Sequence, residues 1–520
     1  MDPLAALPAE VVLRVLNFAS LGSIASLTLV SRAWHKFIDS AHQDVIYAAK
    51  APGVARLREP EQYFRGWKSF TRYVEGESDG NVGSWKEICR RRLLLERSWR
   101  SAAPRPTETV IQVGRHPVWR FRPDFARRFI VSTSHAGGLY VTDMDSGALL
   151  WSLSTDEVRR FAHLEYQDGT AVWDRFRNSL EVWRTDLPGL ARGQFRRVAL
   201  LPHDVTTRGF QLSYHTLCVV SSEGQGFVYD FPDPQRPEDE PVLRTHVEIE
   251  EGAVGHLDQC EDAVMYSIGT HGYHLHDKSS GELLGHIHPH MTDAIYHIKH
   301  PMVPELDDNV LDWLPGSFRY VLPRVGRNAG LMQLQIEEGV HPIARRPLSY
   351  QDEWGAGMLS GKTMVGVSRG GRLVICADWR HALRGPDEFA AVTSVIECEP
   401  ISDSFDLGGW LHMHETVGGK KIVFEIKDSI YVISLDDAGR FDPKTPAFAA
   451  HTCTAPELAV PVSFMGIYDD CIMSTFTTLG TDVPADGNGN GNGNDGSEHD
   501  RRPVHFPTKA IRVLSFAPSG

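Results

Sequence analysis

The chain has little cysteine and no long apolar run. Seven cysteines are scattered over 520 residues, an odd number, and no two of them form a Cys-x-x-Cys pair. This argues against a disulfide framework and is typical of a reducing compartment. No stretch of about 18 apolar residues is present, and no positive charge precedes an apolar run near the start. We therefore expect no signal peptide and no membrane partner, and a location in the cytoplasm, the nucleus or both.

A basic excess is missing from most of the chain. The formal net charge is −14. Residues 1–103 hold 15 Lys and Arg against 11 Asp and Glu, a net of +4, so the remainder carries −18. Bulk nucleic-acid binding needs a basic face to neutralise phosphates. We expect no nucleic-acid partner.

Motifs of catalysis and metal binding are also scarce. No motif singles out a catalytic triad, and Gly487–Gly493 has Asn at alternate positions without the strand–loop–helix frame of a phosphate loop. Eight histidines crowd into thirty residues: His271, His274, His276, His286, His288, His290, His297 and His300. Alternate histidines on a strand could share a zinc ion, but no Cys or carboxylate joins them at a fixed spacing. We expect surface and turn histidines, no metal, no cofactor and no enzyme.

Residues 1–103 have the apolar periodicity of helices. Val11, Val15 and Ala19 recur at intervals of four, and a further helix is predicted to begin at Ser84, where Ser-x-x-Glu forms a capping box, and to end before Pro104. A segment of about 40 residues cannot bury a stable core alone. Its surplus of apolar faces predicts a surface for a partner.

Two short motifs mark the ends of the first helical segment. Leu7-Pro8-x-Glu10 opens it, and Val30-Ser31-Arg32-x-Trp34 closes it. This pattern, over about residues 4–45, resembles an F-box. The resemblance implies a three-helix F-box over 1–48 and a helical linker over 49–103. It also implies docking on a Skp-type adaptor, and through it on a cullin. The residues predicted to contact the adaptor are Leu7, Pro8, Val11, Leu16, Leu21, Ile24, Leu27, Val30 and Trp34.

After residue 106 the chain changes to short strand-like runs separated by turns. Asp143–Leu150 and Asp277–Leu284 both read Asp-x-x-Ser-Gly-x-Leu-Leu, 134 residues apart, which is about three periods of a propeller repeat. Eight runs resemble the third strand of a four-stranded blade: Leu139–Asp143, Ser179–Arg184, Gly226–Asp230, Tyr273–Asp277, Gly330–Ile336, Arg372–Asp378, Ser429–Leu435 and Ala510–Phe516. The pattern favours eight blades over 107–520, or seven if Ser179–Arg184 or Gly330–Ile336 is misassigned.

The ends of the propeller have their own signals. Thr107–Val113 precedes the first blade and is predicted to close the ring by pairing with the last strand, which removes two sheet edges. The Gly- and Asn-rich stretch within about 481–507 is predicted to be a disordered insertion. The expected fold is therefore multidomain, α and then all-β.

The helix predicted at Ser84–Trp99 is similar to the linker helix of F-box proteins that carry WD-type propellers. That resemblance implies a substrate receptor of an SCF (Skp–cullin–F-box) ubiquitin ligase, whose propeller binds an unidentified target protein on one face, near the central channel. Related proteins often hold phosphorylated segments there with arginines. The candidates in this sequence are Arg122, Arg208, Arg324 and Arg369. Two alternatives stay open: a propeller scaffold unconnected with ubiquitin, and an enzyme built on a propeller.

Overall fold

The chain folds as helices followed by strands in this computed structural model. The structure describes residues 2–51, 66–72, 84–176, 178–232, 240–249, 254–289, 292–299, 331–341, 353–398, 409–426, 429–453, 462–482 and 504–518. Within these ranges, no helix is both long and apolar enough to cross a membrane.

The N-terminal region is a cluster of short helices. They are α1 (Pro3–Ala6), α2 (Ala9–Phe18), α3 (Leu21–Thr28), α4 (Arg32–His35) with a π-helical continuation (Lys36–Ala41), and α5 (Gln43–Ala48). Serine hydroxyls cap two of them: Ser20 Oγ accepts the N–H of Ser23, and Ser31 Oγ accepts the N–H of Trp34. Their apolar sides meet in one small core.

A longer helix, α6 (Trp85–Arg100), connects this cluster to the strands, and its N-cap is Ser84, as the capping box predicts. Its two ends are buried in different cores. Trp85, Ile88 and Cys89 pack into the helical core. Leu95 and Trp99 pack against strands near the end of the chain. The helix therefore belongs to both parts of the molecule.

Seven antiparallel sheets form the blades of a β-propeller. In each blade we name the strands a to d from the channel outwards. Blades 1 to 3 consist of Val118–Asp124, Phe129–Ser134, Leu139–Asp143 and Leu149–Leu153; of Leu164–Gln167, Thr170–Phe176, Ser179–Arg184 and Arg196–Pro202; and of Thr207–Ser213, Thr216–Ser221, Gln225–Asp230 and Val242–Glu248. Blade 4 consists of His256–Gln259, Ala263–Ser267, Tyr273–Asp277 and Leu283–Ile287.

The remaining three blades include elements that depart from the regular order of four consecutive strands. Blade 5 consists of Trp354–Ser360, Thr363–Ser368, Arg372–Cys376 and Thr393–Cys398, with two short helices, α7 (Trp379–Ala382) and α8 (Pro386–Val392), before strand d. Blade 6 consists of Leu411–Thr416, Gly419–Ile426, Ser429–Ser434 and Phe448–His451. Blade 7 consists of Met465–Ile467, Cys471–Asp482, Val504–Ser515 and the early strand Thr107–Ile111.

The preferred count of eight blades is wrong, and the allowed count of seven is what the structure shows. The error lies in Gly330–Ile336, whose first residue is outside the described residues. Met332–Gln333 pairs with the outer edge of blade 6, and Gln335–His341 pairs with Ala294–Lys299, which itself lies along the outer edge of blade 5. A strand added to an existing edge has the same local pattern as a third strand, so spacing could not separate the two. The other seven runs are third strands.

The predicted closure of the ring is confirmed by strand pairing. Thr107–Ile111 runs antiparallel to the last strand, with Thr107 opposite Ser515 and Ile111 opposite Ile511. The first and last strands of the propeller therefore belong to one blade, and their pairing closes the ring. The predicted insertion falls mainly at 483–503, outside the described residues.

The two copies of Asp-x-x-Ser-Gly form the same turn. Asp143 Oδ1 accepts the backbone N–H of Asp145 and of Ser146, at 3.0 and 2.7 Å. Asp277 Oδ1 accepts the equivalent N–H groups two and three residues further on, at 2.8 and 2.7 Å. The glycines that follow, Gly147 and Gly281, have φ of +72° and +78°. The predicted positive φ at these glycines is confirmed.

Candidate functional site

The helical cluster exposes a group of large apolar side chains, which we call the apolar face. It comprises Leu7, Val11, Val15, Phe18, Leu29 and Val30. Phe18 is 84% exposed and Leu29 is 87% exposed. Val11, Val15 and Phe18 lie at spacings of four and three on α2, so they share one side of the helix. A soluble chain rarely leaves such a cluster uncovered unless a partner binds there.

The nine residues predicted to contact an adaptor divide into two groups. Leu7, Pro8, Val11 and Val30 are exposed. Leu16, Ile24 and Trp34 lie in the helical core, and Leu21 and Leu27 pack partly against it. Val15, Phe18 and Leu29 are exposed too, but they are not among the nine predicted contacts. The helical spacing from Val11 could have identified the first two.

A second connection joins the linker to the propeller. We call residues Gly66–Arg72 the strap. Its backbone is held by the turn between strands a and b of blade 7: Asp470 accepts the N–H of Phe70 at 2.8 Å and of Thr71 at 3.0 Å, and Asp469 accepts the N–H of Lys68. Asp470 is fully buried. The strap therefore packs on the propeller at the end where the innermost strands terminate.

The seven a strands enclose a central channel of about 660 Å³, and the strap residues Gly66–Lys68 line one end of it. Arg122 faces into this channel and is neutralised there. Its guanidinium donates to both carboxylate oxygens of Glu165, at 2.5 and 2.6 Å, and His163 lies 3.1 Å from the same carboxylate. Burial raises the pKa of Glu165, but Arg122 and His163 outweigh it and hold that pKa at about 2. The positive charge of Arg122 is therefore balanced by the negative charge of Glu165.

Arg120 lies two residues before Arg122 on the same strand and has a different environment. Only 8% of the residue is exposed. Its guanidinium carbon lies 4.0 Å above the centre of the Trp410 ring, a cation–π contact. Within the described residues its guanidinium has no hydrogen-bond acceptor, and its buried Nε is unpaired. Burial lowers the pKa of Arg120 to about 9, which still leaves it charged at neutral pH.

Two histidines of the channel are fixed in one tautomer. Nδ1 of His256 accepts the N–H of Gly357 at 3.5 Å, and Nδ1 of His412 accepts the N–H of Ile467 at 3.2 Å. Burial lowers the pKa of each histidine to about 3, so both are neutral. In a neutral ring whose Nδ1 accepts, the proton is on Nε2. Each ring therefore offers one N–H donor on its far side.

The four arginines predicted for target binding are placed differently from one another. Arg122 and Arg208 both line the channel, and Arg208 is exposed at the register shift that begins blade 3. Arg369 lies outside the channel lining and pairs with Glu353 at 2.5 Å. Arg324 is outside the described residues. Sequence reasoning missed Arg120, although Arg120, Arg122 and Asp124 alternate along the innermost strand as channel-facing residues should.

Two segments of blade 5 resemble sequence motifs that are catalytic or bind phosphate in other folds. Gly366–Gly370 reads Gly-x-Ser-x-Gly, and Ala356–Thr363 approaches the pattern of a phosphate loop. Both motifs need a strand followed by a helix. Here strands a, b and c of blade 5 are joined as antiparallel hairpins, and Ser368 is buried with its hydroxyl accepting the N–H of Arg372. Neither segment has the geometry of its motif.

The crowded histidines lie mainly on blade 4. His274 and His286 sit opposite each other on neighbouring strands, with ring centres 4.1 Å apart. Among the residues that the structure describes, no three His, Cys, Asp or Glu side chains gather as a metal site. All seven cysteines are buried, and none of them forms a disulfide.

Comparison with known proteins assigns the helical cluster. The family model described as "F-box domain" matches residues 4–44. The curated proteins contain no match to the chain. The chain therefore carries an F-box domain followed by a seven-bladed β-propeller, the domain order of F-box/WD-repeat proteins.

Three solved structures illustrate the similarity of this chain to known folds. The computationally designed Ika8 protein has a TM-score of 0.41 and 11% identity, covering 78% of this chain and 98% of that chain. Saccharomyces cerevisiae Sqt1 has a TM-score of 0.43 and 7% identity, covering 80% and 99%. The WD40 domain of Neurospora crassa Pan2 has a TM-score of 0.32 and 11% identity, covering 64% and 74%.

Proposed function

We propose that this chain is the substrate-recognition subunit of an SCF ubiquitin ligase. The F-box docks on a Skp-type adaptor, the adaptor connects the chain to a cullin, and the propeller binds a target protein. A separate conjugating enzyme transfers ubiquitin. The chain contributes proximity, because it raises the local concentration of target lysines near the loaded enzyme. No residue of the chain needs to react.

The observation that carries this proposal is the apolar face on an F-box domain. Burying one such side chain contributes about 1.5–3 kcal/mol before ordering costs. Six of them on one small domain can support a stable complex. Of the nine predicted contacts, we propose the exposed ones, Leu7, Pro8, Val11 and Val30, as direct contacts. We propose that Leu16, Ile24 and Trp34 act by holding the helices in place.

The attachment of the F-box also supports a receptor role. The helix α6 is buried in both the helical cluster and the propeller, so it fixes the cluster near the end of the propeller where the innermost strands terminate. A target bound at the other end of the channel would then be held at a defined distance from the adaptor. We propose that end, which includes the exposed Arg208, as the target side. Seven cysteines without a disulfide are compatible with the reducing cytoplasm or nucleus in which such a ligase would act.

The first test is co-purification of the full chain with a Skp-type adaptor. The native chain should retain the adaptor, and Leu7→Ala/Pro8→Ala should retain less. Leu149→Asp, a change at an exposed apolar residue of blade 1, is the matched control and should bind like the native chain. Failure of the native chain to retain the adaptor would refute the proposal. Equal retention by the double variant would refute the assigned contacts.

The second test identifies the target. The full-length variant Phe18→Asp/Leu29→Asp changes only exposed residues, so its propeller should stay folded. It should bind targets without delivering them to the ligase, and those targets should accumulate on it. Proteins that are enriched on this variant, and that become ubiquitylated only with the native chain, would be the substrates. If ubiquitylation of the enriched proteins is the same with both chains, the receptor role is refuted.

A further inference from the structure

The buried guanidinium of Arg120 forms no ion pair with any described residue, because Glu165, the carboxylate that attracts it, is paired with Arg122. Removing a charge from water costs several kcal/mol unless an opposite charge or hydrogen bonds compensate. Arg122, two residues away, obtains that compensation from Glu165. Arg120 instead rests on the Trp410 ring, which is a weaker partner. The five N–H donors of this guanidinium thus have no acceptor among the described residues, and Arg120 lines the channel.

Two neutral histidines line the same channel as Arg120 and offer N–H donors to it. Among the described residues, the Nε2–H groups of His256 and His412 have no acceptor, since only their Nδ1 atoms are hydrogen-bonded. Both rings line the channel together with Arg120. Arg208 adds a second cation at the channel wall. The buried carboxylates of the channel already have partners: Glu165 is paired with Arg122 and His163, Asp124 with Arg127, and Asp258 accepts the N–H of Leu359. Arg120 is therefore left without a carboxylate partner among the described residues.

We propose that the channel around Arg120 is a binding site for a small anion that carries a phosphate or a carboxylate group. Arg120 would hold the anion through paired hydrogen bonds, which suit both groups. His256 and His412 would donate one hydrogen bond each. A channel of about 660 Å³ is within the range of small-molecule sites. This proposal does not depend on docking to an adaptor.

The enclosure of Arg120 favours a free small molecule over a phosphorylated side chain of a target. Arg120 is more than nine-tenths buried and lies within the ring of a strands. The strap lines the opposite end of the same space. A small anion can diffuse into such a channel and reach Arg120. A phosphorylated side chain could reach Arg120 only if the protein segment that carries it also entered the channel.

The test measures binding of inorganic phosphate and of citrate to the full chain by calorimetry, at constant ionic strength in chloride. The native chain should bind at least one of the two. Arg120→Met should weaken that binding on the order of tenfold or more, which corresponds to about 1.4 kcal/mol or more. Arg160→Met, at an exposed arginine outside the channel lining, is the matched control and should bind like the native chain.

Stability gives an independent readout. Without phosphate or citrate, Arg120→Met should unfold at the same or a higher temperature than the native chain, because it removes a buried uncompensated charge. Adding the bound anion should raise the melting temperature of the native chain only. If Arg120→Met does not fold, Arg120→Lys replaces it and should bind the anion more weakly, because an ammonium cannot pair in the same way.

Three results would overturn the proposal. The native chain could bind neither anion at millimolar concentration. Arg120→Met could bind as tightly as the native chain. A phosphoserine peptide could bind through Arg120 while free phosphate and citrate do not, which would assign Arg120 to the target and not to a small anion.

Discussion

The indole ring of Trp99, in the last turn of α6, stacks on the ring of Phe516 just after the last strand. The ring centres are 3.7 Å apart and the planes differ by 17°. Trp99 Nε1 also donates to the carbonyl oxygen of Asp469 at 3.0 Å. The linker helix is thus anchored where the propeller closes. Any movement of the F-box relative to the propeller would have to break this contact or bend α6.

Replacing Trp99 should therefore destabilise the chain. Trp99→Ala should lower the free energy of unfolding by about 3–5 kcal/mol, because it removes a fully buried ring. Trp99→Phe retains an aromatic ring but loses the N–H donor, and should cost less. Urea denaturation followed by circular dichroism measures both. A loss below about 0.5 kcal/mol for Trp99→Ala would show that the stack does not anchor the helix.

The strap should depend on one carboxylate. Asp470→Ala leaves the N–H groups of Phe70 and Thr71 without their acceptor, at a cost of about 1–3 kcal/mol for each buried group. Hydrogen exchange in peptides covering 66–72 should become faster. Asp436→Ala is a matched control, since Asp436 also accepts two backbone N–H groups, but in a turn of blade 6. Unchanged exchange in Asp470→Ala would contradict the assigned role.

The two Asp-x-x-Ser-Gly turns should respond differently to the same substitution. Both glycines have positive φ, so an alanine is strained at either position. A Cβ at Gly147 would meet nothing within 4 Å, whereas at Gly281 it would lie 2.8 Å from Thr245 Cγ2. Gly147→Ala should cost about 1 kcal/mol, and Gly281→Ala should cost more. Thermal unfolding of the two variants compares them, and equal losses would show that contact with Thr245 is unimportant.

Glu425 should make stability depend on pH. It is fully buried in blade 6 near Lys509, and burial raises its pKa to about 8. The folded chain therefore keeps a proton that the unfolded chain loses above about pH 4.5. Its contribution to the free energy of unfolding should fall as pH rises towards 8, by at most about 1.4 kcal/mol per pH unit. Lys509 is buried too, and burial lowers its pKa, so the charged pair is disfavoured.

The variant Glu425→Gln isolates this effect, because glutamine does not titrate. The stability of the variant minus that of the native chain should increase between pH 5.5 and 8 and then level off. Urea denaturation of both chains at several pH values provides the difference. A difference that is constant, or that shrinks as pH rises, would show that Glu425 is ionised in the folded chain.

The regular parts of the propeller could be predicted from sequence because each depends on local chemistry. The turn at Asp143 needs only an aspartate, a serine and a glycine in order, and the closing strand needs only an edge to pair with. The segment at 332–341 could not be placed, because edge strands and third strands look alike until their neighbours are known. The helices α7 and α8 between strands c and d of blade 5 were missed for a similar reason, since they interrupt a repeat that was followed by spacing.

The candidate sites divide in the same way. The F-box was identified from Leu7-Pro8 and Val30-Ser31-Arg32-x-Trp34, which are local motifs. Which of its apolar residues are exposed depends on how α2, α3 and α6 pack, so Leu16 could not be separated from Val15 by hydrophobicity. Arg120 resembles a solvated arginine in sequence. Its burial under Trp410 arises only when the closed ring brings the first strand of blade 1 close to the residue that precedes blade 6.

The central claim is that the apolar face of the F-box binds a Skp-type adaptor. The most direct measurement is calorimetric titration of purified adaptor into the full-length native chain, Phe18→Asp/Leu29→Asp and Leu149→Asp. We predict that the native chain and Leu149→Asp bind with equal affinity, and that the double variant, still folded by circular dichroism, binds on the order of 100-fold more weakly. Equal affinity for all three chains, or no binding by the native chain, would contradict the claim.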